Sequence, residues 1–359
     1  MSLRLKLMVW VGLLSVLTCY PAVAGEGSVD KGSVRPPSNG QPEPTYRIEA
    51  GLDGEIYPVF ANYASFLSQN ERKFGIVAIT VANTGKTELH RRISVTIPGW
   101  SDEEIQLIDV AAGATTTALF APSFLPRFYK NKEIIAATAR VSVTDLANHS
   151  VYESTLPVRI RSSEDMYWGS QFKYAPFIAS WVTPHATEVE AVLARAKSYT
   201  PDDRLPGYEN WKNPAEQEQE TYLEAKAIFT ALKRMGLSYV KSSTTLGDHK
   251  SFSERVRMPR ISLEQGSANC IDAVVMYASI FENLGMESSV IIVPGHAYVG
   301  VRVAEGSPKF LYIDAALTGR TSFDAAVLSG RLGMDKRDAA SITQVNIDQA
   351  RSAGIYPMP

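Results

Sequence analysis

Cysteine is scarce in this chain, with two residues, Cys19 and Cys270, among 359. A charge of one sign is not in excess either. Lys and Arg number 36, Asp and Glu 38, for a net charge of −2. Without a basic surplus the chain lacks the general electrostatic footprint of a nucleic-acid binder. No nucleotide loop, haem signature or metal-ligand cluster is present, so no cofactor is expected. What remains is an ordinary globular composition, 45% apolar and 21% charged. That excludes collagen, coiled coil and wholesale disorder, and the length allows two or three domains.

The N-terminus reads as an export signal. Arg4 and Lys6 form a basic start, and Leu7 to Thr18 is an almost unbroken apolar run. The run is short of the roughly 18–20 residues that span a membrane. Ala22-Val23-Ala24 supplies the small residues a signal peptidase needs, so residues 1–24 are expected to be cleaved and the mature chain to lie in the periplasm or outside the cell. The alternatives are an uncleaved anchor and a lipoprotein built on Cys19. Cleavage after Ala24 leaves Cys270 as the single thiol, which excludes an internal disulfide. A lone thiol in an oxidising compartment is either a small buried hydrophobe or a nucleophile.

Residues 25–44 are Gly, Pro, Ser and charge, and read as a flexible leader. Residues 45–162 have the texture of strands: Ile76 to Val81, Arg92 to Ile97, Thr115 to Phe120, Ala136 to Val143 and Tyr152 to Ile160, with a turn signal at Asn83-Thr84-Gly85. No helical periodicity stands out there. The pattern predicts an all-β, immunoglobulin-like sandwich without an inter-sheet disulfide. His90 and His149 sit beside turn residues and read as surface histidines.

From residue 163 to 359 helices and strands mix, as expected of an α+β domain. Thr187 and Glu190 have the spacing of a capping box ahead of Val189, Val192, Leu193 and Ala196. Asn213-Pro214 opens a second helix with Tyr222, Ala225, Phe229 and Leu232 on its apolar face and Gly236 at its end. Trp168, Trp181 and Trp211 read as core or interface residues. His185 reads as a surface residue, and His249, near Asp248, sits in a polar loop.

The chemistry concentrates between Arg255 and Gly319. Asn269 is a helix cap, followed at helical spacing by Ile271, Val274, Val275, Ala278 and Phe281. Cys270 therefore occupies the first turn, where free backbone N–H groups and the positive end of the dipole favour a thiolate. Asp272 either opposes that effect or is tied to the backbone as a capping partner. Ser288 to Val293 is a buried strand, and Pro294-Gly295 breaks it. His296, Tyr298, Gly300 and Arg302 share one face of the next strand. If Val303 pairs with Lys309, Asp314 faces Tyr298, and His296 is its diagonal neighbour on the same face. A one-residue slip would part them. In that register Cys270, His296 and Asp314 are a nucleophile, a base and a residue that orients the base. Tyr298 either lines the site or packs on the sheet.

The segments GSANCIDAVVMYASIFENLGM, VIIVPGHAYVGV and FLYIDAALTG, with Arg255-Val256-Arg257-Met258-Pro259 before them, resemble bacterial members of the transglutaminase-like superfamily of papain-fold cysteine enzymes. The resemblance is strong over Arg255 to Gly319, weaker back to Trp168, and does not reach the β domain. It implies Cys270 as nucleophile, His296 as general base and Asp314 as the residue orienting it. It makes Gln265, five residues upstream of the thiol, a candidate oxyanion donor beside the Cys270 N–H; otherwise Gln265 is a loop residue. The animal cross-linking enzymes carry an aromatic residue directly after the cysteine, where this chain has Ile271, and their Ca²⁺-binding insertions have no counterpart here. Hydrolysis therefore ranks with transamidation. The expectation is an exported acyl-transfer enzyme acting on a protein or peptide, with cell-envelope components among the candidate partners. The rival reading is a non-catalytic envelope binding or scaffolding protein that keeps the fold.

Overall fold

The computed structural model describes residues 33–34, 43–209, 213–241 and 253–359. The signal-like segment 1–24, Trp211, Asp248 and His249 lie outside them. The chain is mixed α/β with several sheets, and it divides into two compact units, up to Ser163 and from Glu164 onward.

The first unit holds β1 (Ser33–Val34), β2 (Thr45–Ala50), β3 (Glu55–Ile56), α1 (Pro58–Ser65), β4 (Val77–Ala82), β5 (Leu89–Thr96), β6 (Glu104–Val110), β7 (Thr115–Phe120), α2 (Pro126–Tyr129), β8 (Ile135–Thr144) and β9 (Ser150–Ile160). One sheet runs β1-β9-β8-β5-β6, with β3 also on β9, and the other runs β2-β4-β7. Alternation decides which side chains are buried: Val77, Ile79 and Val81 of β4 and Ile93 and Val95 of β5 are fully inside. Tyr46 of one sheet stacks on Tyr152 of the other, ring centroids 4.5 Å apart.

Three features differ from the sequence reading. The helix α1 shows no apolar stripe because Pro58 to Ala64 are all buried, so no polar face exists to reveal the period. The strand β6 carries Ile105 and Leu107 outward on an edge. Ser33 and Val34, inside the leader, pair with Glu153 and Tyr152.

The second unit begins with β10 (Asp165–Tyr167), α3 (Thr187–Ala196), α4 (Pro214–Arg234), β11 (Ser238–Tyr239) and β12 (Ser253–Arg255). The expected capping box on α3 is not formed. Ala186 is the cap, because its carbonyl already accepts the N–H groups of Val189 and Glu190, which places Thr187 inside the helix. Tertiary bonds hold the preceding chain in that position: Thr183 N–H donates to Ser279 Oγ at 2.9 Å, and Asn283 Nδ2 donates to the Pro184 carbonyl at 2.8 Å. By contrast, Asn213 caps α4 as expected, accepting from Ala215 and Glu216.

Glu224 points from α4 into the core and is 1% exposed. Its Oε1 accepts the Gly207 N–H at 3.0 Å, while Oε2 has no partner among the described residues. Burial pushes this carboxyl up to about 8, against the Gly207 hydrogen bond and with some help from Glu220 and Asp202. The folded-state value lies above the ordinary value of 4.5. The native state therefore retains a proton that the unfolded chain releases, and stability from this group is full below pH 4.5 and lost as pH rises through 8. Glu224→Gln is expected to leave Tm unchanged near pH 4.5 and to raise it by several degrees at pH 9. Thermal melts at the two pH values check this, and an equal difference at both would refute it.

The rest of the unit comprises α5 (Pro259–Gln265), β13 (Ser267–Ala268), α6 (Cys270–Asn283), β14 (Ser288–Val293), β15 (His296–Arg302), β16 (Phe310–Ile313), α7 (Phe323–Asp335), β17 (Thr343–Asn346) and α8 (Ile347–Ser352). Its main sheet is antiparallel, in the order β16-β15-β14-β17. The helix α6, buried from Ile271 through Phe281, packs on β14 and β15. Among the described residues no helix is long and apolar enough to cross a membrane.

Candidate active site

The first turn of α6 is held from two sides. Asn269 Oδ1 accepts the Asp272 N–H at 2.8 Å, and Asp272 Oδ2 accepts the Asn269 N–H at 3.2 Å, a reciprocal cap. Arg257 then engages the same carboxylate. Its backbone N–H reaches Oδ1 and its guanidinium reaches Oδ2, each at 2.8 Å. Burial pushes the Asp272 carboxyl up, and the bonds from Arg257 and Asn269 oppose that. Asp272 is thus spent on the cap and on Arg257. Cys270, partly exposed at the first helical position, is the only free cysteine among the described residues. Its N–H has no acceptor within the helix.

His296 arrives from the sheet. Pro294 and Gly295 form a two-residue turn, with Gly295 at φ +76°, and Val293 pairs with His296 across it. Such a φ favours glycine because it carries no Cβ. On the other side, Val299 pairs with Ile313 and Arg302 with Phe310, the register expected from a Val303–Lys309 pairing. Asp314 follows at the end of β16, 6% exposed, and its Oδ1 lies 2.9 Å from His296 Nε2. The Cys270 side chain also acts on the His296 ring and raises its pKa. With Nε2 on Asp314, Nδ1 is the nitrogen left for the thiol.

These contacts set the charge on His296. Burial is the largest single influence and pulls its pKa down. Hydrogen bonds to Asp314 and Cys270, with the charges of both, outweigh it and carry the imidazole up to about 9. At neutral pH His296 is therefore an imidazolium. Its ring meets Tyr298 edge-on, with centroids 4.7 Å apart, and Tyr298 is buried, so this residue packs beneath the histidine.

The structure thus brings Cys270, His296 and Asp314 together, with His296 hydrogen-bonded to Asp314 and Cys270 acting on the same ring. Gln265 stands exposed at the end of α5, its Oε1 taken by Arg257 Nη1 at 2.7 Å. Trp168 and Trp181 are buried in the second unit, and His185 is exposed.

Three contributors escape a reading of the sequence. Arg257 is invisible as a partner of Asp272 until the chain folds back on itself. Tyr239, exposed on β11, sits beside β13, just ahead of the thiol. Burial raises its hydroxyl pKa, the charges of Cys270 and Asp314 add to this, and Arg320 opposes it. Ser329 of α7 donates to Asp314 Oδ2 at 2.8 Å. The signal for α7 is a Ser322 cap followed by Phe323, Ala326, Gly330 and Gly333, small or apolar residues at helical spacing.

Among the described residues no group of three or more His, Cys, Asp or Glu side chains is placed to hold a metal ion. Compared with known proteins, the chain matches no family model and no curated sequence.

Proposed function

We propose that this chain is an exported, cysteine-dependent acyl-transfer enzyme of the transglutaminase-like, papain-fold type, preceded by an immunoglobulin-like sandwich. The observation that carries the reading is the His296–Asp314 hydrogen bond with Cys270 acting on the same ring, the cysteine at a capped helix start, the histidine at the start of one strand and the aspartate just past the end of the next. The two sheets of the first unit, packed through alternating apolar residues, support the sandwich.

The chemistry follows from the charges. His296 holds the proton taken from Cys270. The sulfur attacks the carbonyl carbon of a carboxamide or peptide bond, and the carbonyl oxygen becomes an oxyanion that the Cys270 N–H is placed to receive. As the C–N bond breaks, the proton of His296 passes to the leaving amine. Once the sulfur is bound in the thioester it no longer charges or hydrogen-bonds the ring. The influence of Cys270 that raises the imidazole pKa is then gone, and His296 returns to a base. It takes a proton from water (peptidase or amidase) or from an amine (transamidase) as that nucleophile attacks the thioester and expels the thiolate. Asp314 holds the ring in place throughout.

The test is alkylation of the protein by iodoacetamide between pH 4 and 9, with Cys270→Ser identifying the site. A free thiol with a pKa of about 8.5 is scarcely ionised at pH 6. Cys270 is expected to react there at least tenfold faster than free cysteine, and to form a mass-detectable thioester with an activated acyl donor. Slow labelling that rises only above pH 8, with no thioester, would replace this reading with the scaffolding one.

A further inference from the structure

Asp314 is gripped from the side opposite His296. Its backbone N–H donates to the Ala326 carbonyl at 3.1 Å, and its Oδ2 accepts Ser329 Oγ–H at 2.8 Å, both partners lying on α7. That helix approaches the sheet unusually closely. A Cβ added at Gly330 would stand 2.5 Å from the Tyr312 carbonyl oxygen and 2.9 Å from the Ile313 nitrogen. One added at Gly333 would stand 2.6 Å from the ring of Tyr298, the ring that meets His296 edge-on. Ser329, Gly330 and Gly333 thus bring one helix against Asp314, the strand before it and the support under His296.

We propose that Ser329 is a positioning residue of the acyl-transfer site: its hydroxyl fixes the Asp314 carboxylate so that Oδ1 stays on His296 Nε2. This rests on the reading of Cys270, His296 and Asp314 given above. A carboxylate bonded through one oxygen can still swing about its two side-chain torsions. A second bond to the other oxygen sets its plane. Because the serine donates, both carboxylate oxygens are engaged, one by the hydroxyl and the other by the ring nitrogen. Without the serine the carboxylate turns, the Nε2 contact lengthens, and His296 loses part of what keeps it charged. The other titratable groups that bear on the pair are the Cys270 thiol and Tyr239, which Arg320 in turn influences, with Arg337 5.8 Å from the Tyr298 ring centroid.

The experiment is the pH profile of Cys270 alkylation by iodoacetate. This anionic reagent needs the thiolate and is drawn by the imidazolium, so its rate rises as the thiol ionises and falls as His296 loses its proton. Ser329→Ala is expected to move the falling limb to lower pH by about half a pH unit or more. Ser329→Thr, which keeps the hydroxyl, is expected to restore it. Ser329→Val, with the shape of threonine but no donor, is expected to behave like alanine, so the Thr and Val pair separates the hydroxyl from any effect of packing. Thermal melts show whether each variant is folded. A falling limb that stays in place or moves up in both Ala and Val variants would overturn the role of Ser329 alone. A wild-type profile with no falling limb that depends on His296 would overturn the reading of the site itself.

Discussion

Apart from loss of the Cys270 sulfur itself, His296→Ala is expected to cost more activity than any other single change that leaves the fold intact. Amide turnover should fall by about 10²–10⁴-fold, the usual worth of a positioned general acid and base. Alkylation of Cys270 at pH 6 should fall at least tenfold. The reasons are geometric. His296 is the ring on which the thiol acts, and Asp314, its partner at 2.9 Å, cannot take over because it lies beyond the ring. The side chain is 26% exposed, so its loss opens a solvent-filled notch and not a dry cavity.

Asp314→Asn separates position from charge. Asparagine can keep an acceptor near Nε2 but removes the negative charge, so the imidazole pKa should fall from about 9 towards its ordinary 6.5. A matching sign appears in stability. The folded-state value of His296 is raised, so the stabilisation it brings is fully present below pH 6.5 and lost as pH rises through 9. The Tm gap between wild type and His296→Ala should therefore narrow over that interval. Unchanged alkylation and turnover in His296→Ala would remove the histidine from the mechanism.

The second large effect is on stability. Arg257→Ala should destabilise the second unit by about 3–5 kcal/mol, the usual cost of stripping the partner from a buried charge. Asp272 is completely buried, and without the guanidinium its carboxylate keeps only backbone donors. The deficit should depend on pH. Burial already pushes the Asp272 carboxyl up, and Arg257→Ala removes the charge and the side-chain bond that oppose it while the backbone donors stay, so the variant gains a proton more readily. A raised folded-state value gives stability at low pH that is lost as pH rises, so the deficit should be smaller at pH 5 than at pH 8. Arg257→Leu combined with Asp272→Asn should lose less than Arg257→Ala, because no charge is left unpaired. Urea unfolding followed at both pH values measures this. A deficit below about 1 kcal/mol at pH 8 would mean that the pair is worth no more than a surface salt bridge.

The arginine also bears on the thiol. Arg257 and Asn269 both hold Asp272, and Asp272 closes the cap from which Cys270 emerges. Loss of Arg257 should therefore loosen the first turn of α6 and disturb the Cys270–His296 contact along with stability.

Much of the site was legible from local pattern. Asn269 before an apolar run of helical period marks a helix start, and its reciprocal bonds with Asp272 form the cap within the segment. Alternation from His296 to Arg302 puts His296 and Tyr298 on one face and leaves the register conditional on a Val303–Lys309 pairing, and the observed pairing of Val299 with Ile313 is that register. Both features depend on residues a few positions apart, where backbone geometry alone relates side chain to side chain.

What stayed hidden depends on contacts between elements. The helix α1 is buried on every side, so it has no polar stripe to show its period. Thr187 has the spacing of a cap, yet bonds from Ser279 and Asn283 set the chain ahead of it and hand the cap to Ala186. Asp272 could be read as opposing the thiolate or as tied down, and Arg257, fifteen residues upstream, decides between them. Ser329 meets Asp314 only because Gly330 lets α7 press against the backbone of β16. The sequence by itself determined where Cys270, His296 and Asp314 stand on their elements, since period and capping are local. Which side chains hold those three in place was decided by tertiary packing, because the distance between two surfaces is a property of neither alone.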